Sequence, residues 1–338
     1  MTLPLASSAA RAALVELGTR LRADAYRFVT VTPATHRRVN GRPENARAHD
    51  LRGALGWSRP FGPGVLPAEV ETPLAQAGLL AAVSGAASDA ASGAASVTPA
   101  DAPAARRALV RASTIGDRLY FHSAWPTHDD DAVFFGPDTY RYVAALQRAL
   151  TSAPLQRKVE RAIDIGCGAG PGAIELALRR PEAMVYGADI NGDALALAEV
   201  NAAINGAANL VPVRSDLLDG VEGGFDVIMS NPPYILDKDE LAYRHGGGEH
   251  GAQLSIDIVH AALDRLNPGG SLLLYTGVAI VEGEDRFLAA IQERLDAGCA
   301  EWRYEELDPD IFGGQLGCEG YERGERIAAV WLHAVRRG

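Results

Sequence analysis

From residue 132 onward, short apolar runs take turns with stretches of helical periodicity, and this alternation limits the fold more than any other feature of the chain. RAIDIG (161–166), AMVYGAD (183–189), NLVPVRSD (209–216), FDVIMSN (225–231) and GSLLLYTG (270–277) read as strands. Helical patterns over 172–180, 192–204, 251–266 and 283–296 separate or follow them, and 301–307 and 325–335 read as the last two strands, joined by the long loop DPDIFGGQLGCEGYERG. Strand and helix in alternation imply an α/β fold, a Rossmann-like parallel sheet with helices on both faces.

A chain of 338 residues exceeds one mid-sized domain. The division expected is an accessory domain over 1–125 and a catalytic domain over 132–338. The first 28 residues read as an amphipathic helix, and a mostly helical pattern continues to about residue 81. Residues 82–105 (AVSGAASDAASGAASVTPADAPAA) are too poor in apolar side chains to offset the entropy of ordering, and read as a flexible loop. The next run, ALVRASTIGDRLYFHS, places Gly116-Asp117 between two β-rich halves like a hairpin. Helices followed by a hairpin make a small α+β domain, either winged-helix-like or simple packing support for the sheet.

Composition excludes several classes. No apolar stretch reaches the roughly 20 residues that span a bilayer, so a cytoplasmic protein with no membrane partner is expected. Cys167, Cys299 and Cys318 are odd in number and lack CxxC spacing, which suggests free thiols. His122, His128 and His250, with Asp129 to Asp131, match no recurring ligand spacing, and no metal is expected. Charge divides unevenly: residues 1–120 carry 14 Arg and no Lys against 9 Asp or Glu, a net +5, which leaves −16 for 121–338. Within the basic part, Arg37, Arg38, Arg42, Arg47, Arg52 and Arg59 lie near Trp57 and Phe61. They read as pairing with Glu44, Asp50 and the acidic domain, in preference to the alternative of a nucleic-acid surface.

The turn DIGCGAGPG (164–172) closes the first strand, where Gly166, Gly168 and Gly170 allow close backbone approach to a ligand. Alone it does not separate dinucleotide from other adenosine cofactors. Asp189 ends the second strand and can accept hydrogen bonds from ribose hydroxyls; Asp216 ends the third and can accept from an adenine amine. Asp164, Asp189 and Asp216, with Cys167, Ile190 and Leu217 beside them, are expected to line one adenosine site.

Asn231-Pro232-Pro233-Tyr234 closes the fourth strand and decides the chemistry. An amide or aniline-like nitrogen is a poor nucleophile, because its lone pair is delocalised. Asn231 Oδ1 and the Pro232 carbonyl can accept from its two N–H groups and hold it in line with a methyl donor. Two prolines stiffen that carbonyl, and Tyr234 can stack on a planar group. Together, DIGCGAGPG, Asp189, Asp216 and NPPY resemble the class I methyltransferases that modify amide or amine nitrogens, especially the HemK-type release-factor glutamine methyltransferases. FFGPDTYRYVAAL (134–146) and the stretch from YRHGGGEHG to LLLYTG resemble the family's segments before its first strand and after NPPY. The resemblance implies a seven-stranded sheet with a reversed last strand and S-adenosylmethionine as cofactor. It implies cofactor contacts at Asp164, Gly166, Gly168, Asp189 and Asp216, and acceptor contacts at Asn231, Pro232 and Tyr234. The acceptor is expected to be a protein glutamine, in a release factor or ribosomal protein; adenine in RNA or DNA, which presents the same planar amine to NPPY in N6-adenine methyltransferases, is the alternative. Gly313-Gly314-Gln315, the tripeptide methylated in release factors, is read as coincidence in a chain with 36 glycines.

Overall fold

The computed structural model describes residues 3–83, 105–127, 129–236 and 245–338. Its N-terminal part contains α1 (Ser8–Ala23), α2 (Pro33–Asn40), α3 (Ala68–Gln76), β1 (Leu80–Val83), β2 (Ala105–Ala108), β3 (Val110–Ile115) and β4 (Arg118–Ser123). Next come α4 (Pro137–Ala149), β5 (Arg161–Ile165), α5 (Pro171–Arg179), β6 (Met184–Asp189), α6 (Gly192–Asn205), β7 (Leu210–Arg214) and β8 (Phe225–Ser230). The chain finishes with α7 (Gln253–Arg265), β9 (Leu266–Val281), β10 (Glu284–Asp285), α8 (Arg286–Gly298), β11 (Cys299–Asp308) and β12 (Gly324–Arg336).

The central sheet runs β11-β12-β9-β8-β5-β6-β7, the seven strands expected, and the two-residue β10 folds back on the end of β9 as an eighth. Strands β5 to β9 are parallel to their neighbours, whereas β12, the last in sequence, runs antiparallel to both β9 and β11. Because side chains alternate across a strand, Ile163 and Ile165 pack with Ile258, Val259 and Phe287 on one face. Ala162 and Asp164 face the other way, toward α4 and α5. Both faces are therefore covered, as a parallel sheet requires.

The N-terminal part is soldered onto α6. Gly18 is the reason α1 can lie so close: a methyl group there would meet Ile204 Cδ1 at 2.2 Å. The expected hairpin is present as β3–β4, with Gly116 at φ +60°. It is buried, and its free edge is completed by side-chain amides. Asn201 accepts from Phe121 N–H (2.8 Å) and donates to the Phe121 carbonyl (2.9 Å), while Asn205 does the same at Leu119 (3.2 and 2.8 Å). Two asparagines one helical turn apart thus stand in for a neighbouring strand, leaving no orphaned edge groups there.

Two expectations need correction. The loop expected over 82–105 is trimmed at its ends, where Ala82 pairs with Arg106 and Val83 with Ala105, so that backbone pairing overrides the apolar-poor composition; residues 84–104 lie outside the described residues. The arginines of segment 37–59 make no close ion pair with Glu44, Asp50 or any other described residue, although Arg59 lies in the electrostatic reach of Asp50 and Glu44. Asp50 is engaged elsewhere, its Oδ1 capping Gly53 N–H at 2.6 Å. No helix among the described residues is long and apolar enough to cross a membrane, and no group of three or more His, Cys, Asp or Glu there could hold a metal.

Candidate active site

Strand register brings the expected residues to one level. Ile165 on β5 lies opposite Ser230 on β8 and Ala188 on β6, Asp189 lies opposite Arg214 on β7, and Ser230 lies opposite Leu274 on β9. One residue further on, Gly166, Asp189, Arg214, Asn231 and Tyr275 form a row along the carboxyl edge, with neighbouring strands about 4.8 Å apart. From β5 the chain first builds outward through β6 and β7, then returns to the other side with β8. The crevice at such a switch point is where open α/β sheets bind ligands.

The glycine turn fits that role. Gly166, Gly168 and Gly170 have φ of +66°, +53° and +83°, a region that side chains other than glycine rarely adopt, and a methyl group on Gly166 would point into open space. Asp189 is tied in place: Gly168 N–H donates to Oδ2 and Asn191 N–H to Oδ1, both at 2.9 Å. Each oxygen keeps a further lone pair for a ligand hydroxyl. Burial pushes the Asp189 carboxyl above its usual range, opposed by these backbone N–H groups.

Asp164 does something different. It is 2% exposed, and both oxygens are taken within the protein, Oδ1 by the Tyr142 hydroxyl (3.0 Å) and Oδ2 by Ala173 N–H (2.9 Å). Burial pushes its carboxyl up to about 7. Gly172 makes the arrangement possible, since a methyl there would fall 2.4 Å from the Tyr142 hydroxyl. Cys167 also turns inward and is buried, whereas Ile190 is 53% exposed, Asp216 is exposed and Leu217 is half-buried with φ +44°.

On the other side of the crevice, Asn231 is half-buried and its side chain has no hydrogen-bond partner among the described residues. Pro232 is buried and Pro233 half-buried. Tyr234 is enclosed, at 7% exposure, and its ring packs against Gly277, edge-on to Tyr275 (6.4 Å between centroids) and Phe312 (5.9 Å). Its hydroxyl lies in the electrostatic reach of Asp138 but has no hydrogen bond of good geometry. The surface that stacking on a substrate needs is thus largely covered in this structure.

Sequence reasoning passed over the supports of this turn. Asp138, at the start of α4, is buried, accepts from the Tyr275 hydroxyl at 2.8 Å and pairs with Arg141 at 3.2 Å. Burial raises the Asp138 carboxyl, and the Tyr275 hydrogen bond opposes that rise. The GGGEHG segment lies against NPPY: Gly246 N–H donates to the Ile235 carbonyl at 2.9 Å, and a methyl on Gly251 would sit 2.5 Å from the Tyr234 carbonyl oxygen. These glycines were visible as a cluster, but their partner was not. Asp138 and Tyr142 both lie in the quoted FFGPDTYRYVAAL segment, without a local signal of what they touch. The coincidental Gly313-Gly314-Gln315 forms part of a 3-10 turn directly after Phe312.

Comparison with known proteins fits this arrangement. Residues 144–280 match the family described as the methyltransferase small domain. The release factor glutamine methyltransferase of Deinococcus radiodurans is 38% identical over 130 residues, which are 35% of this chain and 46% of that protein. The ribosomal protein uL3 glutamine methyltransferase of Neisseria gonorrhoeae is 34% identical over 132 residues, 35% of this chain and 44% of that one. Its counterpart from Xanthomonas campestris is 32% identical over 185 residues, 51% of this chain and 55% of that one. The chain spans about half the length of the curated relatives it matches. The residues present suit an adenosine cofactor: an open glycine cradle at Gly166 and a fixed carboxylate, Asp189, with lone pairs to spare.

Proposed function

We propose that this protein is an S-adenosylmethionine-dependent N-methyltransferase whose acceptor is the side-chain amide of a protein glutamine. The observation that carries the reading is Asn231: a half-buried amide without a partner, one strand away from the glycine turn. Gly166, Gly168 and Asp189 would hold the cofactor, which supplies a methyl group on a sulfonium sulfur. Asn231 Oδ1 and the Pro232 carbonyl would accept the two N–H groups of the acceptor amide and fix its plane. Tyr234 would act from within, its packed ring stiffening the turn. Asp164 would brace the glycine turn through Ala173 and α4 through Tyr142 without touching the ligand. A cleft of about 470 Å³, lined by Leu236, His250, Arg286 and Arg323, opens beside the turn and suits an extended polypeptide.

Glutamine is favoured because the relatives named above are glutamine methyltransferases, and a release factor or ribosomal protein is the class of acceptor we propose, in the cytoplasm. The test is transfer of labelled methyl groups from S-adenosylmethionine into a lysate of cells lacking this gene. Label removed by protease and recovered as N-methylglutamine is the expected result. Label removed by nuclease would replace this reading with adenine methylation.

A further inference from the structure

The arginines of segment 37–59 outnumber the acids around them: Arg59 lies in the electrostatic reach of Asp50 and Glu44, but none of the six makes an ion pair with a described residue. In the sheet domain several arginines are paired: Arg141 with Asp138 and Asp308, Arg179 with Glu175, Arg326 with Glu306. Arg37, Arg38, Arg42 and Arg52 are exposed and Arg47 and Arg59 half-buried, with no ion pair to any described residue. Unneutralised like charges held on one short segment repel one another, a cost that a counter-charged ligand relieves.

The segment is also rigid where it matters. His36 is buried between Trp57 and Trp125, with ring centroids 5.3 and 4.9 Å away. Asn40 donates to the Trp57 carbonyl at 2.9 Å, and Arg59 donates to Asn40 Oδ1 at 2.9 Å while lying 5.4 Å from the centre of the Trp57 ring. The carriers are two turns of α-helix, a 3-10 turn and a five-residue π turn, which fold the segment into a knob. Exposed arginines without ion pairs suit a phosphate backbone. Arginine forks match phosphate oxygens in pairs. The knob also sits near the active site: Thr30 N–H, just before α2, donates to the Tyr140 hydroxyl at 2.9 Å, and Tyr140 is two residues from Asp138 beneath Tyr234.

We propose that the arginine knob of segment 37–59 is an RNA-binding surface, through which the enzyme grips single-stranded or looped RNA while the separate NPPY site performs methyl transfer. The surface does not depend on which acceptor the site takes.

The test is the affinity of the full chain for a fluorescein-labelled single-stranded RNA, measured against salt, for the natural protein and for R37Q/R38Q/R42Q. Three exposed positions change, and an unchanged melting temperature confirms folding. The expected result is affinity reduced about tenfold or more at about 50 mM salt, with the slope of log K against log salt shallower by about 2. An R294Q/R303Q variant on the sheet domain should bind like the natural protein. The proposal is overturned if the natural protein does not bind RNA at low salt, if the triple variant binds equally well, or if poly-glutamate competes as effectively as RNA, which would make the knob a site for acidic protein.

Discussion

The two turns that face each other across the crevice are built on different principles. After β5, the glycine turn is held by hydrogen bonds to carboxylates: Asp164 anchors Ala173 and Tyr142, and Asp189 anchors Gly168 and Asn191. After β8, the NPPY turn is held by packing: Tyr234 is wedged against Gly277, Tyr275 and Phe312, and the glycines of 246–251 close over its backbone. Hydrogen bonds fix where backbone N–H groups point, which suits a cofactor read through its hydroxyls. Packing fixes where a carbonyl and an amide sit while leaving them unbonded, which suits an acceptor that must bring its own donors.

If that division is right, substitutions on the two sides separate in their effects. The largest is expected for Asn231→Ala, which should lower kcat roughly 100-fold or more through lost alignment, while cofactor binding by titration calorimetry stays close to natural. Equal loss of both would erase the distinction. Asp189→Asn should do the reverse, weakening cofactor binding roughly tenfold to a hundredfold, the worth of a charge-assisted hydrogen bond, with a smaller change in kcat at saturating cofactor. Gly277→Ala tests the packed side alone. The added methyl lies 2.3 Å from two ring carbons of Tyr234, and forcing the ring aside should cost about 1–3 kcal/mol in denaturant unfolding. A loss of methyl transfer with cofactor affinity intact should accompany it.

The subtlest effect concerns pH. The Asp164 carboxyl rises from 3.8 to about 7 on folding, so between those values the folded chain keeps a proton that the unfolded chain has released. Stability should therefore fall as pH rises through that window and level off above it. Asp164→Asn, which keeps one acceptor, should flatten this slope in chemical denaturation measured from pH 4 to 8. An unchanged slope would mean that another buried carboxyl, such as Asp138 or Asp189, carries it.

Much of this architecture was legible in the chain. Short apolar runs alternating with helical stretches, glycines at the end of the first strand and NPPY at the end of the fourth are local patterns, and local patterns are what a sequence displays. The row formed by Gly166, Asp189 and Asn231 needed only the parallel register that such alternation implies. The supports were not legible. Tyr275 meets Asp138 across 137 residues, and Asn201 completes β4 across 80. A tyrosine in a buried strand and an asparagine in a helix look ordinary until their partners are known. The expected pairing of the 37–59 arginines survives only as the electrostatic reach of Asp50 and Glu44 to Arg59, because nearness in sequence did not decide where those carboxylates point.

The sequence by itself determined the α/β class, the strand order's two decisive turns and the residues at their tips, since backbone preferences of glycine and proline and the periods of strand and helix act over a few residues. Only the tertiary structure decided which side chains remain free to act: Asn231 open and Tyr234 enclosed, Asp189 with lone pairs to spare and Asp164 with none, Arg141 and Arg179 in ion pairs and Arg37, Arg38 and Arg42 exposed without one. Freedom of that kind depends on which distant groups arrive to satisfy a side chain, and chain folding sets those arrivals, not local pattern.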